Sequence, residues 1–351
     1  MTSAQTANLH GVSYVMPVLN EANYLREAVA SVLSQEYKGD KEIVLALGPS
    51  IDATDEVAAQ LASADPRVKL VQNPMGRTPI GLNLAIKAST HPIIVRVDAH
   101  SKLEPTYTAR GIETLFRVDA HDVGGLMDAR GKNPLQRAVA AAYHSPWGMG
   151  GAAYHNGGAE GPAESAYLGI FRREIFDEVG YYDESLWRAQ DWELCLRIRQ
   201  AGRIVWFDPE LCTGYFPRDD FKSLAAQSYA SGMWRGEIAR RYPDGKSLRH
   251  DLPPLMVAGT TLGLVALIVH PSVVQQLPPV VNFIINLAKI APFGYAGLVV
   301  FAAARSKRAS ALEKVLMLRV LPTIHFPWAV GFVKGRLRGA QGTIDKGRVL
   351  S

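Results

Sequence analysis

Residues 13–21 read Ser13-Tyr14-Val15-Met16-Pro17-Val18-Leu19-Asn20-Glu21. The first six form an apolar run of strand length, and Asn20-Glu21 leads into an amphipathic stretch from about Asn23 to Gln35. A short, continuously apolar run suits a strand buried on both faces, and the 3.6-residue pattern after it suits a helix. The pattern then repeats. Glu42 to Leu47 is a second apolar strand, followed by a Gly48-Pro49-Ser50 turn and a helix from about Thr54 to Ala62. Val68 to Gln72 reads as a third strand, Pro79 to Ala88 as a helix, and Ile93 to Val97 as a fourth strand. Strands alternating with helices predict an α/β fold whose mostly parallel sheet is covered on both faces. In such sheets ligands bind beyond the carboxyl ends of the strands. That rule sets Asn20-Glu21, Ser50 to Asp52 and Asp98 to His100 along one rim, because each directly follows a strand.

The whole chain has 351 residues, 48% of them hydrophobic and 20% charged, which is ordinary for a globular protein. The average hides a split near residue 250, giving an expected domain over 1–250 and an expected membrane-associated helical region over 251–351. Three apolar stretches follow that boundary, at roughly 254–270, 280–304 and 315–333, each near the length that crosses a bilayer. The first two are joined by the uncharged segment Pro271 to Pro279, and the second is followed by Arg305, Lys307 and Arg308. A hairpin of two transmembrane helices would therefore return the chain to its basic side, with the N-terminal domain facing the cytoplasm. The third contains Arg319, Pro322, His325 and Pro327 and reads as an interfacial or re-entrant segment. Lys289 and Arg319 keep open a soluble helical domain instead.

The net charge of +5 is concentrated in the tail, where an anionic membrane surface accounts for it better than nucleic acid, for which no motif is present. Met1 to His10 is polar and lacks an apolar targeting core. Cys195 and Cys212 are too few for a disulfide framework and read as small core residues in a reducing compartment.

Two acidic motifs lie far apart. Val97-Asp98-Ala99-His100 follows the fourth strand, and Gln190-Asp191-Trp192-Glu193 opens an amphipathic helix ending at Gly202. Transfer of a sugar from a nucleotide diphosphate needs one set of acids to hold a divalent cation and a separate carboxylate to deprotonate the acceptor. Asp191 at a helix start would be ionised by the positive end of the dipole, although an Asp there also serves as an ordinary N-cap. His100 is either a ligand or a surface histidine, and Trp147 and Trp192 either pack the core or stack on a sugar. Between the two motifs the chain is rich in glycine, and Ser145-Pro146-Trp147-Gly148-Met149-Gly150-Gly151 cannot form a regular helix.

These segments, with Val15 to Glu21 and Leu194-Cys195-Leu196-Arg197, resemble the family 2 inverting glycosyltransferases of the GT-A fold. Arg96 to His100, Ser145 to Gly151 and Tyr167-Leu168-Gly169 resemble most closely the glucosyltransferases of succinoglycan-type exopolysaccharide assembly. The likeness covers about residues 12–240. It implies that Pro17, Asn20 and Glu21 line the nucleotide pocket, with Glu21 accepting from ribose or base, and that Asp52 borders the base. It implies further that Arg77 and Asn83 face the donor diphosphate, and that Gln227 and Arg235 contact it from a later helix. Asp98 and His100 stand at the metal-binding Asp-x-Asp, for Mg²⁺ or, with a histidine present, Mn²⁺. Asp191 stands at the catalytic base. Trp147, Gly150, Gly151 and Trp192 fall on the acceptor side.

The chain departs from the family pattern twice. Leu47-Gly48-Pro49-Ser50 lacks the usual acids before the turn, which leaves the preference for uracil unsupported there. Gln227 and Arg235 are too widely spaced for Gln-x-x-Arg-Trp, which favours addition of a single sugar. The resulting expectation is transfer of a hexose, glucose by resemblance, from a UDP-sugar to a lipid-linked or cell-envelope acceptor at the cytoplasmic membrane face. Transfer onto a polyprenyl phosphate and a non-catalytic nucleotide-sugar-binding membrane scaffold are the alternatives. Activity surviving Asp191→Asn would favour the first, and tight UDP binding without turnover the second.

Overall fold

The computed structural model describes residues 10–148, 151–243, 250–269, 274 and 276–340. Gly150 lies outside the described residues. The described chain divides into two compact units: residues up to Asp128 with Ala153–Tyr215, and Ala129–Ala152 with residues 216–340. Composition alone places the boundary near 250; contacts draw it elsewhere, because a helix before that point packs on the apolar C-terminal helices.

In the first unit, β1 (Val12–Val18), β2 (Lys41–Leu47), β3 (Val68–Gln72) and β4 (Ile93–Arg96) alternate with α1 (Leu25–Leu33), α2 (Thr54–Ala64) and α3 (Thr78–Ala88). The strands pair in parallel in the order β3-β2-β1-β4. The alternation of β1 shows why both faces must be covered. Tyr14, Met16 and Val18 pack with Leu25, Val29 and Val32 of α1, whereas Val15 packs on the opposite side with Leu82 and Ile86 of α3. At the end opposite the rim, the buried Glu42 accepts from Ser13 Oγ at 2.5 Å and from Lys69 Nζ and the Thr90 amide, each at 2.6 Å. Hydrogen bonds and the ammonium outweigh its burial and hold its carboxyl at about 2.

Beyond β4 the sheet is not parallel. After α4 (Tyr107–Arg117) come β5 (Asp122–Ala129), β6 (Gly161–Pro162), β7 (Tyr167–Arg172) and β8 (Val205–Tyr215), and the full order is β3-β2-β1-β4-β7-β5-β8-β6. β7 runs antiparallel to both β4 and β5. The expectation of a mostly parallel sheet holds for half of it, and the glycine-rich segment supplies strands that alternation with helices does not announce. Gly125 shows what those glycines do: a Cβ there would lie 1.6 Å from the Leu211 carbonyl oxygen. Close strand approach, rather than a flexible loop, requires the missing side chain.

The second unit contains α5 (Pro134–Tyr143), α9 (Phe221–Arg241), α10 (Leu252–Ile268), α11 (Pro279–Ala288), α12 (Ala291–Arg305) and α13 (Ala311–Arg338). The first unit holds α6 (Ala153–Asn156), α7 (Glu174–Val179) and α8 (Gln190–Gln200). The third apolar stretch is one continuous helix of 28 residues through Pro322 and Pro327. Ser310 and Glu313 cap its start reciprocally, and Arg137 of α5 binds Glu313 at 2.5 Å. Pro279–Arg305 and Ala311–Arg338 are both long and apolar enough to cross a membrane, and 6% of the first window is buried against 44% of the second. Most of the burial of α13 comes from α9, which it accompanies in parallel. Gly232 and Gly236 of α9 face Gly331 and Gly335 of α13 across backbone contacts. A Cβ at Gly335 would lie 1.9 Å from the Met233 carbonyl oxygen, and one at Gly232 would lie 2.0 Å from that of Trp328. This small-x-x-x-small seam lets two helices meet backbone to backbone, and the packing overrides the two prolines, each of which removes a helical hydrogen bond.

The seam gives a contrast within one unit. Gly335→Ala forces the helices apart and should lower stability by about 1–3 kcal/mol, whereas Gly294→Ala on α12, where nothing lies within 4 Å of the new Cβ, should raise it by about 0.5–1 kcal/mol through helix propensity. Thermal unfolding of the two variants in detergent measures the difference; equal shifts would contradict the seam.

Candidate active site

The rim at the carboxyl ends of β1, β2 and β4 is built from mutually bonded loops. Asn20 adopts a positive φ of 56°, which asparagine tolerates better than most residues. Its amide donates to Ser50 Oγ at 3.1 Å and its Oδ1 accepts from the Ile51 amide at 2.9 Å. The Glu21 amide donates to Thr54 Oγ1 at 2.8 Å, and Asp52 accepts from the Ala22 amide at 3.2 Å and the Thr54 amide at 3.1 Å. Desolvation works against its charge, but the Thr54 hydroxyl and these amides together hold Asp52 below the usual carboxylate range. The expected nucleotide-side residues thus share one place, with Pro17 one residue before the end of β1. Asn20 and Asp52 also fix the backbone of that place.

Glu21 Oε1 accepts a hydrogen bond from His100 Nδ1 at 2.8 Å. A carboxylate behind an imidazole fixes its tautomer and orientation, the arrangement that accompanies metal-binding histidines. Among the described residues no group of three or more His, Cys, Asp or Glu could hold a metal ion. Asp98 and His100, the residues expected at the cation, are thus at most two protein donors. Such a set fits a Mg²⁺ or Mn²⁺ ion that takes its remaining oxygens from a diphosphate and water.

Arg96, the last residue of β4, brings the two acidic motifs together. Its side chain is 7% exposed; Nη2 donates to Asp98 Oδ1 at 3.1 Å and Nη1 to Asp191 Oδ1. Burial works against its charge, but Asp191 and then Asp98 overcome it and hold the guanidinium well above its usual range. Asp191 lies in the first turn of α8, where the dipole favours a carboxylate. Its carboxylate keeps 34% of its exposure. Ala189, at the N-cap of α8, is left-handed with φ 62°, a conformation that costs about 1–2 kcal/mol without glycine.

The segment before α8 is gripped from several sides. Arg197 donates to the carbonyls of Gly180 and Tyr181 at 3.0 and 2.8 Å, and its salt bridge with Glu193 is 2.7 Å long. Asn83 does not present its amide to the rim: Nδ2 donates to the Tyr182 carbonyl and to Glu184, both at 2.9 Å, and Oδ1 accepts from the Tyr182 amide at 3.0 Å. Arg77 lies over the Trp187 ring, 4.7 Å from its centre. Both residues, expected at the diphosphate, hold the segment that carries Asp191. Trp192 is 5% exposed and packs into the unit, which leaves no ring face for a sugar.

The remaining expected residues belong to the second unit. Trp147 is 46% exposed, its carbonyl accepts from His325 Nε2 at 2.8 Å, and its ring meets Phe301 edge-on at 6.0 Å. Gly151 is exposed with open space around it. Gln227 and Arg235 sit half-buried on α9.

Sequence reasoning assigned no role to Arg96 or Asp122. The available signal was a charge inside the apolar run Ile93 to Val97, since a buried charge must be paired. Asp122, fully buried at the start of β5, accepts from Cys195 Sγ at 3.3 Å. Burial pushes its carboxyl up to about 8. The unfolded group titrates near about 3.9, so the folded state holds a proton that the unfolded state releases. Stability from this group is complete below about pH 4 and is lost as pH rises through 8. Asp122→Asn should flatten that part of the stability curve in denaturant titrations between pH 5 and 9; parallel curves would contradict it.

A model of the glycosyl transferase family 2 domain matches residues 13–180. The chain is 31% identical over 258 residues to the succinoglycan biosynthesis protein ExoA of Rhizobium meliloti, covering 73% of this chain and 78% of that one. It is 25% identical to the glycosyltransferase AglE of Haloferax volcanii, over 70% of this chain and 78% of that one. It is 22% identical to a dolichyl N-acetyl-α-D-glucosaminyl phosphate diacetamido-dideoxy-glucuronosyltransferase of Methanococcus voltae, over 66% and 74%. Its fold is shared with a mannosyltransferase of Pyrobaculum calidifontis solved with GDP-mannose and Mn²⁺, at TM-score 0.53 and 16% identity, covering 94% of this chain and 87% of that one. The mixed α/β sheet is the GT-A architecture, and the chain belongs to glycosyl transferase family 2 as an enzyme of glycan biosynthesis.

Proposed function

We propose that this glycosyltransferase moves a hexose, glucose by resemblance, from a UDP-sugar to a hydroxyl of a lipid-linked or cell-envelope glycan, with inversion, at the cytoplasmic face of a membrane. The observation that carries the reading is the pairing of Asp98 and Asp191 through one buried guanidinium, since sugar transfer needs a donor-side acid and a separate base within reach of one anomeric carbon. Asp191 takes the proton of the acceptor hydroxyl as that oxygen attacks. Asp98 and His100 would hold the divalent cation, which when bound neutralises charge on the departing diphosphate. Glu21 orients the His100 ring. Asn20, Asp52 and Pro17 shape the nucleotide side.

The second unit supports a membrane-borne acceptor. Leu252–Ile268 and Pro279–Arg305 would form the hairpin that returns to Arg305, Lys307 and Arg308. Trp147, on the loop expected to meet the acceptor, contacts Phe301 of that apolar region. The Methanococcus relative, by its name, acts on a sugar already carried by dolichyl phosphate. An acceptor of that kind presents a hydroxyl, for which a carboxylate base is needed; a bare polyprenyl phosphate is already ionised.

UDP release by the detergent-extracted protein, across UDP-sugars with Mg²⁺, Mn²⁺ or EDTA and with membrane lipid extract as acceptor, tests the reading. One donor should give cation-dependent release that falls about 10²–10⁴-fold in Asp191→Asn and is lost in Asp98→Ala. Release retained in Asp191→Asn would point to an ionised phosphate acceptor. No release with any UDP-sugar would reject the UDP donor.

A further inference from the structure

Arg96 is a third charged group between the donor-side acid and the base, and its chemistry differs from that of either. We propose that Arg96 is the positioning residue of the transfer reaction, its guanidinium fork holding the Asp191 base in register with the donor-side Asp98. The proposal rests on the reading of Asp191 as base.

The geometry is specific to a fork. Nη1 serves Asp191 and Nη2 serves Asp98 from one rigid, planar group at the end of β4, the most central of the parallel strands in the sheet order. A lysine ammonium is a point charge on a flexible stem and does not fix two carboxylates relative to each other. Arg96 engages Oδ1 of Asp191, and the carboxylate is one-third exposed, so Arg96 steadies the base while leaving it open to an acceptor. The anchor is itself immobile: the side chain is buried, and Val95 of the same strand pairs with both β1 and β7. Nε is buried with no hydrogen-bond partner among the described residues, and the fork's two outer nitrogens make the contacts to Asp98 and Asp191. A guanidinium placed only to neutralise one neighbouring acid would not need to divide itself between residues so distant in sequence.

The two carboxylates come from separate pieces of chain. Asp98 follows β4 directly, whereas Asp191 rides on α8, whose entry is set by the left-handed Ala189 and by the grip of Asn83 and Arg197. Arg96 is a direct polar link between the two pieces at the reacting end. A shift of about 1 Å between reacting groups can cost about 10²-fold in rate.

The experiment uses the full chain in detergent with the UDP-sugar and acceptor extract that support wild-type turnover. Arg96→Lys keeps a buried cation and should unfold near the wild-type temperature. Its kcat should fall about 10²-fold while KM for the donor and for acceptor stays within about threefold. In Arg96→Ala, millimolar guanidinium added to the assay should restore part of the lost rate, a response that a general folding defect would not give. A kcat for Arg96→Lys within about twofold of wild type would overturn the assignment and leave the transferase reading intact. So would a loss expressed in donor KM alone. Full activity retained in Asp191→Asn under the same conditions would overturn the base assignment and this one with it.

Discussion

A full charge buried at the end of a strand must be matched where it stands, and the guanidinium of Arg96 is matched by two carboxylates that the chain supplies from distant places. Asp98 arrives two residues later on the same rim, and Asp191 arrives on a helix reached only after the sheet has reversed direction. Most of the first unit's local geometry serves that meeting. β4 must lie beside β1 to fix the guanidinium, β7 must run antiparallel against β4, and the segment before α8 must be clasped by Asn83, Arg77 and Arg197 to deliver Asp191. Removing one member of such a set leaves the others buried with unmatched charge, which costs more than the pairing contributes. The strained backbone of Ala189 fits the same picture, because left-handed residues other than glycine persist where surrounding contacts over-determine them.

Much of this was legible in the sequence. The four parallel strands, the rim and the acidic motifs followed from apolar runs, helix periodicity and the rule that ligands lie beyond carboxyl ends. The antiparallel half was not, because its glycines look like loop. Their reason is the close approach of one strand to another, as at Gly125 against Leu211, and distance between strands is invisible in one dimension. Asn83 and Arg77 illustrate a second limit. Their residue types suit a diphosphate as well as they suit a backbone clasp or an aromatic face, so type and position alone could not separate the roles. Trp192 was ambiguous for the same reason, and burial decided it. Arg96 was visible as a charge within an apolar run, but the identity of its partners depended on the fold.

In the second unit, composition announces three apolar stretches. Two prolines, an arginine and a histidine set 315–333 apart and lead to its reading as an interfacial or re-entrant segment. The structure keeps it as one helix because Gly331 and Gly335 fit against Gly232 and Gly236 of α9. Two helices in backbone contact bury polar and proline-containing turns that an isolated span would expose. His325 exemplifies this, bonded to Tyr295 at 3.1 Å and to the Trp147 carbonyl at 2.8 Å. The expected acceptor loop is thereby tied to the apolar helices by a named hydrogen bond within the unit.

The central claim is that one carboxylate, Asp191, activates the acceptor for a single displacement at the sugar carbon. The anomeric configuration of the first-formed product tests it most directly, read by the proton coupling at the new linkage in NMR spectra of product made from an α-linked donor. A β-linkage is predicted. An α-linkage would require two displacements and a second nucleophile, and would contradict the assignment of Asp191 as the base of a one-step transfer.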